Sequence, residues 1–216
     1  MKIDFDEEKH EYSVGGVKVP SVSEILAPLS ADRYRDLNPA VLQQAAARGT
    51  AIHEATEALD YDLNPEIMPD IAGYVEAYIA FLRDYFPQWE KVEGRVCAEN
   101  AKNAPIYAGT VDRYGKIDGR PCVVDIKTYA SMTTDALIAA SCQTQLYRCA
   151  IDNNYTSLWH DMKRYVLHLK KDGNYRLIDL DKFDDERNFN SYDVAFMLLR
   201  VWIAREDARN AKGRKK

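Results

Sequence analysis

Gly109-Thr110-Val111-Asp112, followed thirteen residues after Asp112 by Asp125-Ile126-Lys127, is the stretch that decides how this chain is read. Val123-Val124 leads into Asp125 as a short apolar run, and Tyr107 to Tyr114 reads as extended on both sides of Asp112. Gly115 to Pro121 supplies turn chemistry between the two strands, with Asp118-Gly119 as a hairpin signal. Such a hairpin brings Asp112 and Asp125 together at the strand ends. Residues 125 and 127 are two apart and share a face of their strand. That face carries two carboxylates and one amine. An aspartate inside an otherwise apolar strand is disfavoured and calls for a reason. Hard divalent cations take oxygen ligands, usually one or two carboxylates with water and phosphate oxygens. A neighbouring lysine can hold a metal-bound water or stabilise charge on a phosphoryl group. The residues therefore point to Asp112 and Asp125 as metal ligands, Lys127 as a catalytic amine, and metal-dependent phosphodiester hydrolysis as the chemistry. Ile126 points to the opposite face, into the core.

Two further segments flank this pair. Arg48-Gly49-Thr50-Ala51-Ile52-His53-Glu54 lies on a predicted helix, and Gln143-Thr144-Gln145-Leu146-Tyr147 lies on another. Gln143 and Tyr147 are four apart and share a helix face. Taken in order, the four segments resemble the motifs of the PD-(D/E)XK nuclease superfamily, in its RecB-like and phage-exonuclease branch. Gly109 to Asp112 is similar to the GxxD strand motif, Asp125 to Lys127 to the (D/E)xK motif, and Gln143 to Tyr147 to the QxxxY helix. No proline precedes Asp112, a departure that the RecB-like branch shares. The resemblance covers roughly residues 45 to 150. It implies a restriction-endonuclease-like core and adds His53 and the Ile126 carbonyl to the metal ligands. It puts Gln143 and Tyr147 in the active site, placing Lys127 or the phosphate backbone. It also implies Mg²⁺ or Mn²⁺ as cofactor and an exonuclease of phage or prophage recombination or repair type. The substrate would be DNA, linear with free ends, with a single-strand annealing protein or a second copy of the chain as partner. The residues themselves support only phosphodiester hydrolysis. A structure-specific or restriction-like endonuclease stays open, as does, in another class, a non-catalytic DNA-binding protein that kept the fold.

At 216 residues and 46% hydrophobic content the chain reads as a single domain with an ordinary core. Within it the N-terminal hairpin and helices occupy 1–88, the catalytic core 89–181, and a C-terminal helix and basic tail 182–216. No apolar run approaches the eighteen or so residues of a membrane helix. The acidic start has no signal-peptide pattern, so no membrane is expected and a cytoplasmic location is. The net charge of −5 does not mark a nucleic-acid binder by itself, but distribution matters more than the sum. Lys163-Arg164, Lys170-Lys171 with Arg176, and the tail from Arg205 to Lys216 read either as solvated surface or as a phosphate track. Fourteen tyrosines are many, and packing is their default role. Cys97, Cys122, Cys142 and Cys149 are spaced by 25, 20 and 7, with no CxxC pair. No iron–sulfur cluster or structural zinc is expected from that spacing, although CRISPR-associated relatives of the resembled family carry a four-cysteine cluster. Buried reduced thiols are the expectation.

Along the chain, residues 3–20 read as a hairpin with its turn at Gly15-Gly16, and a serine-capped helix follows Pro20. Helices are predicted from about Pro39 to Leu59 and from Ile71 to Tyr85, with a loop from Tyr61 to Pro69 and a stop before Pro87. A strand spans Trp89 to Ala98, a helix Thr133 to Ile151, and two strands about 158–170 and 174–180 flank a turn at Lys171 to Asn174. Phe189, Tyr192, Phe196, Leu199 and Ile203 stripe a closing helix. The order predicts an α/β fold with a central mixed sheet and helices on its faces. Among the remaining polar residues, Glu57 is a candidate partner for His53, four residues away, and Glu93 is a weaker candidate on the strand before Asp112. His53-Glu54-Ala55-Thr56-Glu57 is not HExxH, so a zinc-protease reading fails. His10, His160 and His168 are read as structural.

Overall fold

A computed structural model describes residues 2–7, 9–30, 38–151 and 161–213. The predicted strand start at 158–160, His160 and the end of the basic tail lie outside them. Two sheets form. Ile3–Asp6 (β1), Glu11–Val14 (β2) and Val17–Val19 (β3) make a small antiparallel sheet in that order. Gln88–Glu99 (β4), Pro105–Ile117 (β5), Arg120–Lys127 (β6), Lys163–Leu169 (β7) and Tyr175–Asp179 (β8) make the main sheet, also in chain order. All neighbours in it are antiparallel except β6 and β7, which are parallel. A parallel pair needs a long crossover, and helix α4, Thr134–Ile151, lies in that connection.

The other helices are Val22–Leu26 (α1), Pro39–Asp60 (α2), Ala72–Tyr85 (α3), Leu180–Arg187 (α5) and Ser191–Gly213 (α6). Side chains alternate across β6. Val123 joins a core cluster with α1, α4 and α6, while Cys122, Val124 and Ile126 join another with α2 and α3. The sheet is thus covered by helices on both faces, an α/β fold with a mixed five-stranded sheet, and Ile126 faces the core as its position in the strand requires.

Local chemistry explains the boundaries. Ser21 caps α1 through a reciprocal capping box with Glu24, at 3.0 and 2.8 Å. The β5–β6 turn is shorter than the sequence predicts. Gly115 and Pro121 lie in the strands, and only Asp118-Gly119 turns the chain, with φ of +50° and +74°. Two residues of positive φ suit the twist of a tight hairpin. The N-terminal hairpin gains β1 as a third strand. Helix α5 is absent from the sequence reading, because in Leu-Asp-Lys-Phe-Asp-Asp-Glu-Arg only Leu180, Phe183 and Asp184 are buried. The Lys163-Arg164 pair also needs correction. Arg164 is 2% exposed and bonds Asp181, Asp184, Ser141 and Ser191, so it knits β7 to α4, α5 and α6 and cannot serve as surface or phosphate track.

A second buried arginine lies beside the candidate site. Arg113 on β5 is fully enclosed and pairs with Asp60 at the end of α2, whose side chain is 1% exposed. Its nitrogens also reach Tyr78 of α3, Thr56 of α2 and Glu93 of β4. Removing one partner of a buried pair strands the other charge. Arg113→Ala is expected to lower stability by about 3–5 kcal/mol in urea unfolding. Lys182→Ala, which breaks an exposed helical pair, should change it by no more than about 0.5 kcal/mol. Equal midpoints for the two variants would remove Arg113 as a clamp.

Candidate functional site

The β5–β6 ladder runs to Arg113 opposite Val124. One step further, Asp112 and Asp125 face each other, and a side chain takes over from the ladder: Asp112 Oδ2 accepts the Ile126 N–H at 2.6 Å. The N–H and C=O of one strand residue turn to the same neighbour, so the Ile126 carbonyl is also turned toward β5. Asp125 is 1% exposed. Lys127 Nζ donates to its Oδ1 at 2.8 Å and lies equally near Oδ2, but without hydrogen-bond geometry there. That buried oxygen therefore has no donor. Lys127 also donates to Gln143 Oε1 at 3.2 Å, and Gln143 Nε2 donates to the Tyr147 hydroxyl at 3.3 Å. The spacing of Gln143 and Tyr147 on α4 thus forms a continuous polar chain with Asp125 and Lys127.

Gly109 makes room for this chain. A Cβ there would stand 2.8 Å from Tyr147 Cε1 and 3.1 Å from Val22 Cγ2, inside van der Waals contact. The glycine of the strand motif is a packing requirement of Tyr147.

His53 enters from α2. Its Nδ1 lies 3.0 Å from Glu93 Oε1 and 3.9 Å from Asp112 Oδ1. One ligand atom each from His53, Glu93 and Asp112 fall within 4.8 Å of one another. Glu93, only a weak candidate from sequence, is therefore the partner of His53. Glu57 lines the same cleft, and the neighbouring Thr56 hydroxyl bonds the His53 carbonyl instead. Glu93 has φ of +46°. A non-glycine residue held there is strained, and such strain collects at functional sites. Nothing in the alternation of β4 distinguishes Glu93 from Glu90 or Arg95. It meets Asp112 because the register slips between Trp89 and Lys91.

The electrostatics are those of carboxylates gathered without their counter-ion. Burial pushes the Asp125 carboxyl up to about 6 against the pull of Lys127, and Asp112 adds to the rise. Burial alone would lower the His53 imidazole, but Asp112 and the Glu93 bond overturn it and hold it at about 9. Burial likewise works to lower Lys127, but Asp125, Tyr129 and Asp112 hold its ammonium above the usual range. Burial and then Asp112 hold the Tyr147 phenol well above its own. This set fits a hard divalent cation: carboxylates, one imidazole, a carbonyl turned inward, and a buried carboxylate oxygen lacking a donor. His53, Glu93 and Asp112 converge as the nearest group, while Asp125 is turned to Lys127. Imidazole adds affinity for first-row metals such as Mn²⁺ over Mg²⁺.

The group opens to a cleft of about 760 Å³ walled by α2, β5, α1 and the N-terminal sheet. Lys127 and Gln143 line a smaller one of about 150 Å³. Away from the site, the His168 ring bonds the Tyr129 carbonyl at 2.7 Å, while His10 lines the larger cleft and packs edge-on against Phe5. Cys97, Cys122 and Cys142 are buried in three different clusters, and Cys149 is partly exposed on α4. No described helix is long and apolar enough to cross a membrane.

No family model and no curated protein matches this chain. Among solved structures it is similar to the crystal structure of SSO0001, with 14% identity and a TM-score of 0.41 over 78% of this chain and 69% of that one. A likeness of that size carries no argument about chemistry.

The His53 environment predicts a pH signature for the metal-free protein. A histidine raised from 6.5 to about 9 on folding contributes stability below pH 6.5 that is lost as pH rises through 9. Melting temperatures in EDTA should fall over that window, and His53→Gln should flatten the fall. Parallel slopes for the two proteins would show that Asp112 and Glu93 do not hold a proton on His53.

Proposed function

We propose that this protein is a Mg²⁺- or Mn²⁺-dependent deoxyribonuclease, acting as an exonuclease on linear DNA. The observation that carries the reading is the meeting of two halves around the adjacent strands β5 and β6. His53, Glu93 and Asp112 converge on one side, and Asp125, Lys127, Gln143 and Tyr147 form a bonded chain on the other. His53, Glu93, Asp112, Asp125 and the Ile126 carbonyl are the groups that would hold a divalent cation. Such a cation, when bound, supplies an activated water and neutralises phosphate charge.

The chain's own residues do the rest. The Lys127 ammonium stays protonated because Asp125 outweighs the cost of its burial. It offers a fixed positive charge to the oxygens of a pentacovalent phosphate, in a site largely shielded from water. Gln143, held by Tyr147, limits the rotamers open to Lys127 and so fixes where that charge sits. Glu93 orients the His53 ring, and Arg113 orients Glu93 from behind. The exonuclease preference rests on the motif resemblance and on the absence of a helix-turn-helix or zinc-finger pattern for sequence readout.

Asp112→Ala and Asp125→Ala are each expected to abolish hydrolysis and to weaken Mn²⁺ binding measured by calorimetry. Lys127→Ala should retain the metal and lose about 100-fold or more in kcat. Wild-type turnover in either aspartate variant would sink the site assignment.

Matched linear and covalently closed circular DNA, each with and without Mg²⁺, separate the activities. Degradation of the linear form alone, requiring metal and weakening with added salt, is the expected result. Circles cut as fast as linear molecules would replace the exonuclease with an endonuclease using the same residues. No cleavage of either would leave a DNA-binding protein.

A further inference from the structure

The N-terminal sheet contributes a wall to the cleft that holds His53 and Asp112, and that wall is aromatic. Phe5, His10 and Tyr12 all line it. Tyr12 is 4% exposed, Phe5 is half-buried and His10 is exposed. Phe5 lies against Tyr12 with centroids 4.5 Å apart, and Arg95 stands 5.8 Å from the same ring. Phe5 is therefore a support, already packed. The His10 ring meets it at 5.1 Å and 80°, and the residue is exposed.

Two features fix this ring with respect to the candidate metal site. The Tyr12 hydroxyl bonds Thr110 Oγ1 at 2.8 Å, two residues from Asp112 on the same strand. His10 itself holds φ of +54°, a left-handed backbone that costs a side-chain-bearing residue energy. The site mechanism above leaves the ring unused.

We propose that His10, backed by Phe5, is a stacking platform for an unpaired nucleobase next to the scissile phosphate, so that the cleft takes a single-stranded DNA end. The inference rests on the nuclease reading of the same cleft. A base presents its π-face to a side chain only when unpaired, and every base has one, so such a platform is tolerant of sequence. The L-shaped corner of the two rings gives a base both a face to stack on and an edge to meet. The described cleft wall also carries Glu7, Glu54 and Glu57. These repel a phosphate chain, whereas stacking is insensitive to their charge. The cleft volume of about 760 Å³ falls in the range that encloses a ligand of nucleotide size.

The test uses a short single-stranded oligonucleotide carrying 2-aminopurine at its end, titrated with the full-length protein in Ca²⁺, and steady-state kinetics in Mg²⁺. His10→Asn keeps a residue that tolerates left-handed backbone and removes the ring; His10→Phe keeps a ring. Wild type and His10→Phe are expected to quench 2-aminopurine. His10→Asn should not, and its KM for single-stranded ends should rise about tenfold with kcat nearly unchanged. A merely structural histidine would give His10→Asn and His10→Phe the same KM, which overturns the platform. So does cleavage of single-stranded ends by wild type with no change in fluorescence. Quenching by wild type and His10→Phe but not His10→Asn, without hydrolysis of any DNA, would support the platform and sink the nuclease reading instead.

Discussion

A full positive charge buried behind the strand that carries Asp112 is the constraint on which the rest of this structure depends. Arg113 follows Asp112 directly, so the chain carries an acid to one face and a guanidinium to the other at a single step of β5. The guanidinium is fully enclosed and can stay there only if its donors are met. Asp60, Thr56, Tyr78 and Glu93 meet them, and they come from α2, α3 and β4. Asp60 in turn accepts from Tyr78 and Trp89. Each of these elements has one position at which the cluster closes. The helix that carries His53 is thereby set against the strand that carries Asp112, and hydrophobic burial of Ile52 and Ala55 alone would not fix its azimuth.

Glu93 joins this buried network to the site. Its Oε1 accepts from Arg113 and faces His53 Nδ1, at 3.0 Å in both cases. The carboxylate is held between a permanent cation behind and a titratable one in front. Without metal, the imidazolium of His53 and the ammonium of Lys127 stand among three carboxylates as the local counter-charges. One Asp125 oxygen has the Lys127 ammonium 2.8 Å away but no hydrogen bond. Burial pushes Asp125 up to about 6 against the pull of Lys127, and Asp112 adds to the rise. Groups driven apart in pKa by desolvation and by each other, in an open cleft, are what a site of charge-handling chemistry looks like. The arrangement departs from what stability would choose, and such departures gather where a protein acts.

The sequence carried most of this in local signals. Asp118-Gly119 dictates a tight hairpin, which puts Asp112 opposite Asp125 without reference to anything else in the fold. Two-residue and four-residue spacings fix Lys127 beside Asp125 and Gln143 beside Tyr147. What was illegible depends on contacts between distant segments. Glu93 meets Asp112 through a register slip that no alternation in β4 announces. Arg164 reads as a surface or phosphate-track cation in the sequence and Arg113 draws no reading at all, and only the tertiary structure encloses both with aspartates from other elements. Helix α5 is too polar for its two apolar anchors to show a period. Glu57 shares a helix face with His53, which made it a reasonable partner, but an i, i+4 neighbour lost to a carboxylate delivered by the sheet.

The two clefts give the site a direction. Val22 and Ser23 line both, so α1 stands between the space in front of His53 and Asp112 and the space in front of Lys127 and Gln143. The first is about 760 Å³ and the second about 150 Å³. For a substrate of the proposed kind, a nucleotide fits the first and not the second. It would reach the carboxylates from the side of α2 and the N-terminal sheet, and Lys127 would meet it from the far side of the divide. The Ala108 N–H donates to the Pro20 carbonyl at 3.0 Å and ties the start of α1 to β5, Ser21 and Glu24 cap the helix reciprocally, and Val22 and Ile25 are buried beneath. The wall that restricts access is thus built from the same short helix whose cap is legible in the sequence. Gly109 lets Tyr147 and Val22 close over β5 at that point, and a larger residue there would pry the divide open.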